Sequence, residues 1–207
     1  MFTSPAYPTP SAQEIDAFVG EQFCGRLIAT DAQGYPQVSL LPFVREGDAF
    51  EVHMVQDDPT CVALRHARRG AFLFDEPLAF TPHHVVSDEV ASFATLHFRA
   101  VLFRVEATVS LDPADVAAAL ERLLARYEAG ARWETVADGP TYGPSLRRLA
   151  CARLRIVGAE AKFKVAQNRT PTDRARLLAF LHTRGLEGDA RAARLIRAAA
   201  PRPGDPA

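Results

Sequence analysis

Apolar and polar positions change their period several times along the chain, and each change marks an element. Ser11 with Glu14 forms a capping box, and Ile15, Phe18 and Val19 follow at helical spacing, which predicts a first helix to about Gln22. Gly25 to Thr30 then reads as a strand with Asp31 to Gly34 as its turn. Gln37 to Val44 reads as a second strand, followed by a turn at Arg45 to Asp48. Ala49 to Val55 alternates, with Phe50, Val52 and Met54 on one face and Glu51 and His53 on the other. Two hairpins in succession imply an antiparallel meander.

Asp58-Pro59 pairs an N-cap with a first-turn proline and predicts a short helix to about Arg68. Ala71 to Phe74 is an apolar strand, and Asp75 to Val90 has the composition of a loop. Alternation returns from Ser92 to Ser110, where Val101, Phe103, Val105 and Ala107 share one face and Arg104, Glu106 and Thr108 the other. Asp112-Pro113 caps an amphipathic helix bearing Val116, Leu120, Leu123 and Tyr127 and closed by Gly130. Residues 131–146 form a connection. Leu149 to Val157 is a further strand, with Ala152, Leu154 and Ile156 inward and Arg153 and Arg155 outward. Thr170 to Asp173 caps a last packed helix with Leu177, Leu178 and Leu181, which Gly185 ends. Ala190 to Ala200 reads as a short Arg-rich helix and Pro201 to Ala207 as a disordered tail.

Many antiparallel strands with helices inserted between them argue for an α+β fold of barrel type rather than a doubly wound parallel sheet. The expected organisation is one domain over residues 1–187, with the Arg-rich helix and tail as an appendage over 188–207. Almost half of the 207 residues are apolar, enough for a substantial core, yet no apolar run approaches a membrane span. Met1 to Pro10 shows neither the basic segment nor the apolar stretch of a secretory signal, which predicts a cytoplasmic location. Cys24, Cys61 and Cys151 are far apart and odd in number, as expected of buried thiols in a reducing compartment.

The net charge of -1 hides an asymmetry: residues 1–144 carry 10 basic and 20 acidic side chains, residues 145–207 carry 14 and 5. A solvated helical face accounts for most of the C-terminal arginines. Lysine use is more informative, because the only two lysines, Lys162 and Lys164, stand in one three-residue stretch. A compact, flexible ammonium is what arginine cannot replace. In a strand both lysines point to one face, and Gln167, Asn168 and Arg169 follow just before the cap at Thr170. Two ammonium groups, two amides, a guanidinium and a helix N-terminus make a candidate anion site; a basic surface strand supporting the cap is the plainer alternative.

The stretch Lys162-Phe-Lys-Val-Ala-Gln-Asn-Arg-Thr-Pro-Thr-Asp-Arg174 resembles the C-terminal motif of the PaiB family, flavin-binding proteins known as negative transcriptional regulators. Ile156-Val-Gly158 and the helix ending in Tyr127 to Gly130 also fall where that family has similar residues. The resemblance covers roughly residues 11–185, strongly after 112. It implies a split β-barrel that dimerises, with FMN between the subunits and Lys162, Lys164, Gln167, Asn168, Arg169 and Ser39 among the cofactor contacts. It also implies a regulatory role or weak flavin-dependent oxidoreductase chemistry; a cofactor-free regulator whose basic C-terminal third meets DNA or a partner protein is an alternative, although the acidic N-terminal part opposes DNA and no helix-turn-helix is visible.

The N-terminal half departs from the family pattern. Ser39-Leu-Leu-Pro42 stands where the family has Thr-His-Leu-Pro, so Leu40 replaces a histidine. His53-Met-Val-Gln-Asp-Asp-Pro59 has Gln56 for an arginine and Asp58 for an asparagine, and Leu96-His97-Phe98 replaces Trp-Asn-Tyr. His53, Gln56 and His97 are nonetheless the positions that correspond to flavin contacts. Asp57 and Asp58 beside a phosphate would weaken it. Either the phosphate sits against other cations, such as Arg65 or the Lys162/Lys164 pair, or FMN affinity is reduced or lost. Because some split-barrel relatives bind haem, His53 or His97 as a haem ligand is the alternative. No dinucleotide loop, Walker loop, nucleophile elbow or zinc-protease helix occurs.

Overall fold

The structure is a computed structural model and describes residues 6–199; the tail expected from Pro201 lies outside the described residues. In chain order the first elements are α1 (Ala12–Gly20), β1 (Cys24–Thr30), β2 (Pro36–Pro42), β3 (Val44–Glu46), β4 (Ala49–Val55), α2 (Pro59–Ala67) and β5 (Arg69–Thr81). They are followed by β6 (Thr95–Ser110), α3 (Pro113–Tyr127), α4 (Gly143–Leu146), β7 (Leu149–Lys164), α5 (Pro171–Arg184) and α6 (Asp189–Ala198). The strands form one seven-stranded antiparallel sheet in the order β2-β1-β5-β6-β7-β4-β3, and the fold is α+β as expected. No described helix is long and apolar enough to cross a membrane.

Three departures from the sequence reading have local causes. The second strand stops at Pro42 and resumes as β3 at Val44; the intervening Phe43 is fully buried, and its carbonyl accepts from the Tyr127 hydroxyl at 2.9 Å. The expected loop after Phe74 is the second half of β5 as far as Thr81. β1 pairs only with Ala71 to Leu73, so Pro77 loses no ladder bond on that side. β7 continues past Val157 to Lys164 through Gly158. A Cβ at Gly158 would lie 2.6 Å from Arg104 Nη2, so the glycine makes room for that guanidinium.

The described residues divide into two compact units. The larger comprises Phe18–Phe74 and Leu102–Ala159. Its centre is a cluster of Phe43, Phe50, Phe72, Phe74 and Phe103, all at most 3% exposed and packed mainly edge to face. α2 begins where Asp58 accepts a hydrogen bond from the Thr60 amide, the cap the sequence called for. It ends on Arg68, held at φ 52° where glycine is the unstrained choice. α3 lays Val116, Ala117 and Ala119 on Leu146 and Cys151, and Arg122 forks onto Glu51 at 2.7–2.8 Å.

The smaller unit comprises Met1–Ala17, Asp75–Val101 and Glu160–Ala207, of which 6–199 are described. α5 and α6 pack with Leu78, Ala79, Val165 and Ala166 around Leu177, Leu181 and Ile196. The α5–α6 turn is fixed by Asp189, which takes both arms of the Arg184 guanidinium and the Leu186 amide. At Gly188 a Cβ would meet the Leu78 carbonyl at 2.2 Å, so only glycine lets the turn approach β5. Glu76 receives Arg99 at 2.6 Å and Arg191 at 2.7 Å, neutralising an arginine side chain that is 7% exposed.

Candidate functional site

The smaller unit concentrates polar chemistry at the end of β7. Lys162 and Lys164 lie on one face, as the alternation required, and their ammonium groups stand 5.4 and 5.7 Å from the centroid of the Tyr7 ring. Val165 carries the chain to Ala166, which adopts φ 61°. The Gln167 amide closes this turn: its Oε1 accepts from the Val165 N–H and its Nε2 donates to the Phe163 carbonyl, both at 2.8 Å. Gln167 therefore supports the site through the backbone. Asn168 hydrogen-bonds the Tyr7 hydroxyl, and Arg169 stacks 4.5 Å above Phe93 while donating to the Phe93 carbonyl. Thr170 then caps α5 through the Asp173 amide.

Positive charge crowds here. Lys164 is held below the usual lysine range, first by burial and then by the charges of Lys162 and Arg169. His97 sits 1% exposed on β6, with Nε2 3.1 Å from Thr81 Oγ1 and its ring beside the Lys164 backbone; among the described residues Nδ1 makes no well-aligned hydrogen bond. Burial foremost, then the cations Lys164 and Arg169, lower its pKa to about 4, so the imidazole is neutral near pH 7. Tyr7 is raised by burial, with Arg169 opposing. A buried neutral imidazole beside Lys164 and Arg169 offers hydrogen-bonding and anion-binding capacity in one place.

The larger unit holds the other expected contacts. Ser39 Oγ lies 2.9 Å from Asp58 Oδ1 and 2.8 Å from Thr60 Oγ1, so its hydroxyl is absorbed by the α2 cap. Gln56 donates its amide to the Arg147 carbonyl at 2.8 Å. His53, opposite Cys151 on β7, is lowered by burial against the charge of Glu51. Leu40 and Leu96 are exposed. Tyr7, Thr81 and Phe93 were not singled out by the sequence; they reach the cluster from distant segments, and only the aromatic partner of an arginine could have been anticipated in kind.

For an FMN phosphate these two sets differ. Lys162, Lys164 and Arg169 fit a dianion, since it would relieve their mutual repulsion. The start of α2 does not, because Asp58 already accepts from the Thr60 amide and Asp57 adds a second carboxylate.

The sequence profile of a family described as "Putative FMN-binding domain" matches residues 1–157. The chain belongs to this FMN-binding family, and FMN is the cofactor that goes with it. No curated protein sequence matches the chain. Among solved structures, one similar fold is a "putative 5-nitroimidazole antibiotic resistance protein" from Bacteroides thetaiotaomicron, 16% identical over 78% of this chain and 90% of that one, TM-score 0.58. Another is a flavocytochrome from Azotobacter vinelandii, 18% identical over 74% and 67%, TM-score 0.57. An FAD and heme binding protein from Mycobacterium smegmatis is 17% identical over 77% and 73%, TM-score 0.56. At these identities the likeness concerns the fold, which is the split-barrel type expected above.

Proposed function

We propose that this protein is a homodimeric FMN-dependent oxidoreductase of the PaiB type, with the FMN phosphate held by Lys162, Lys164 and Arg169. The observation that carries the reading is the crowding of Lys162 and Arg169 around a partly buried Lys164 whose ammonium is disfavoured until an anion arrives. The Lys162–Arg174 motif lies beyond the family match at 157, so the finer kinship rests on that motif. When bound, FMN supplies hydride and single-electron transfer. The chain's own residues supply binding: the two ammonium groups and the guanidinium offset phosphate charge, the Tyr7 ring shields the ammonium groups from water, and Asn168 orients Tyr7. His97, neutral at physiological pH, presents Nδ1 as a donor or acceptor according to its tautomer. The regulatory role implied by the resemblance would then follow from redox or ligand state.

Replacing both Lys162 and Lys164 by alanine is expected to weaken FMN at least tenfold, about 1.4 kcal/mol, while leaving riboflavin, which lacks the phosphate, unchanged. Equal FMN affinity in wild type and double variant would place the phosphate elsewhere. One observation favours a haem reading as the second possibility: His97 is buried and neutral near pH 7, the protonation state in which imidazole ligates iron. That reading expects a Soret band on haem addition that His97→Ala abolishes; an unchanged spectrum disposes of it.

A further inference from the structure

We propose a second anion site, in the larger unit, that takes a ligand with two or more linked phosphates. Three adjoining cavities of about 360, 460 and 780 Å3 share walls: Arg68, Ala107 and Thr108 belong to the first and second, Ala67, Arg69 and Glu106 to the second and third. Six arginines line this trough: Arg65 and Arg68 in the first cavity, Arg69, Arg153 and Arg155 in the second, Arg104 in the third. The carboxylates lining it are Glu106 and Asp31. Glu106 takes Arg155, and Asp31 is engaged by the amides of Gln33 and Tyr35 and the side chain of Gln37. Arg153 reaches Glu46 only at 3.6 Å. The side chains of Arg65, Arg68 and Arg69 have no hydrogen bond or ion pair among the described residues. The concentration is local, because the whole unit has 13 arginines against 14 carboxylates.

Two features place the cations rather than merely tolerating them. Arg68 holds a left-handed conformation that glycine would take without strain, and its backbone is pinned at both ends: its N–H donates to the Leu64 carbonyl and its carbonyl accepts from the Ala107 N–H. Gly158 leaves the space in which the Arg104 guanidinium lies. Guanidinium groups suit phosphate oxygens through paired donors. A single phosphate reaches one cavity; a chain of two or three phosphates spans adjoining ones and suits the three arginines, Arg65, Arg68 and Arg69, whose side chains are not engaged among the described residues. The site is separate from the Lys162/Lys164 cluster in residues and in unit.

The test is calorimetric titration with inorganic tripolyphosphate, pyrophosphate and orthophosphate on the Lys162→Ala/Lys164→Ala background, which removes the other cation cluster. Tripolyphosphate is expected to bind at least tenfold more tightly than orthophosphate. Arg68→Gly should lose at least tenfold in that affinity while raising the melting temperature, since it removes strain and charge together; Arg65→Gln should weaken binding without that gain. Arg132→Gln, on an exposed loop, should change nothing. Equal losses in Arg132→Gln and Arg68→Gly, binding confined to the intact lysine cluster, or a single-stranded oligonucleotide displacing tripolyphosphate with far higher affinity would each overturn the proposal.

Discussion

Phe50→Ala is expected to cost about 4 kcal/mol of folding stability, the largest effect of any single truncation considered. Phe50 is fully buried, and its ring centroid lies 5.1–5.6 Å from those of Phe43, Phe72, Phe74 and Phe103. Removing it deletes the transfer free energy of the ring and four aromatic contacts, and it opens a cavity whose walls are strand residues with little freedom to close it. The Arg45 guanidinium, 5.6 Å from the same ring, loses its platform as well. Ordinary domains are stable by only about 5–15 kcal/mol, so the variant should melt far below wild type. Phe50→Leu keeps apolar volume and should cost about 1–2 kcal/mol. Urea unfolding of the two variants measures this, and a loss below 1 kcal/mol for alanine would show that the cluster is not the centre of the larger unit.

The second large effect belongs to pH. His97 has a folded pKa of about 4 against an ordinary value of 6.5, set first by burial and then by Lys164 and Arg169. Above pH 6.5 the imidazole is neutral folded and unfolded, and it adds no pH dependence. Between 6.5 and about 4 the unfolded chain takes up a proton that the folded site refuses, so stability falls as pH drops. The full span is worth about 3 kcal/mol. Carboxylates titrate in the lower part of this window, so the measurement is the difference between wild type and His97→Gln, followed by urea unfolding from pH 7.5 to 4.5. Wild type should lose stability over that range by about 2 kcal/mol more than the variant, the remainder of the span lying below pH 4.5. Parallel curves would mean that His97 is protonated or solvated in the folded state.

Much of the fold was legible because single residues carried decisive local chemistry. Asp58, Asp112 and Thr170 each accept the amide hydrogen bond that starts the helix expected after it. The alternation of Phe50, Val52 and Met54 gave the buried face of β4 correctly. What stayed hidden depends on partners far away in sequence. Nothing local says that Pro77 lies in a strand; that follows from where β1 stops pairing. The strand expected to end at Val157 runs on through Gly158, where the missing side chain leaves the space that Arg104 occupies.

The candidate site divides along the same line. Lys162, Lys164 and Arg169 could be named from composition and spacing. Gln167 closes on its own turn because Ala166 takes a positive φ, and Tyr7 covers the lysines from the N-terminal segment. Neither follows from a motif. Ser39 keeps a family hydroxyl and Gln56 replaces a family arginine, yet their side chains are taken up by the α2 cap and by the Arg147 carbonyl.

The most direct test is titration of the purified protein with FMN, followed by absorption and by quenching of flavin fluorescence. A saturable transition with a bound yellow chromophore is the expected result. A colourless protein that leaves FMN fluorescence untouched at every concentration would contradict the flavoprotein assignment.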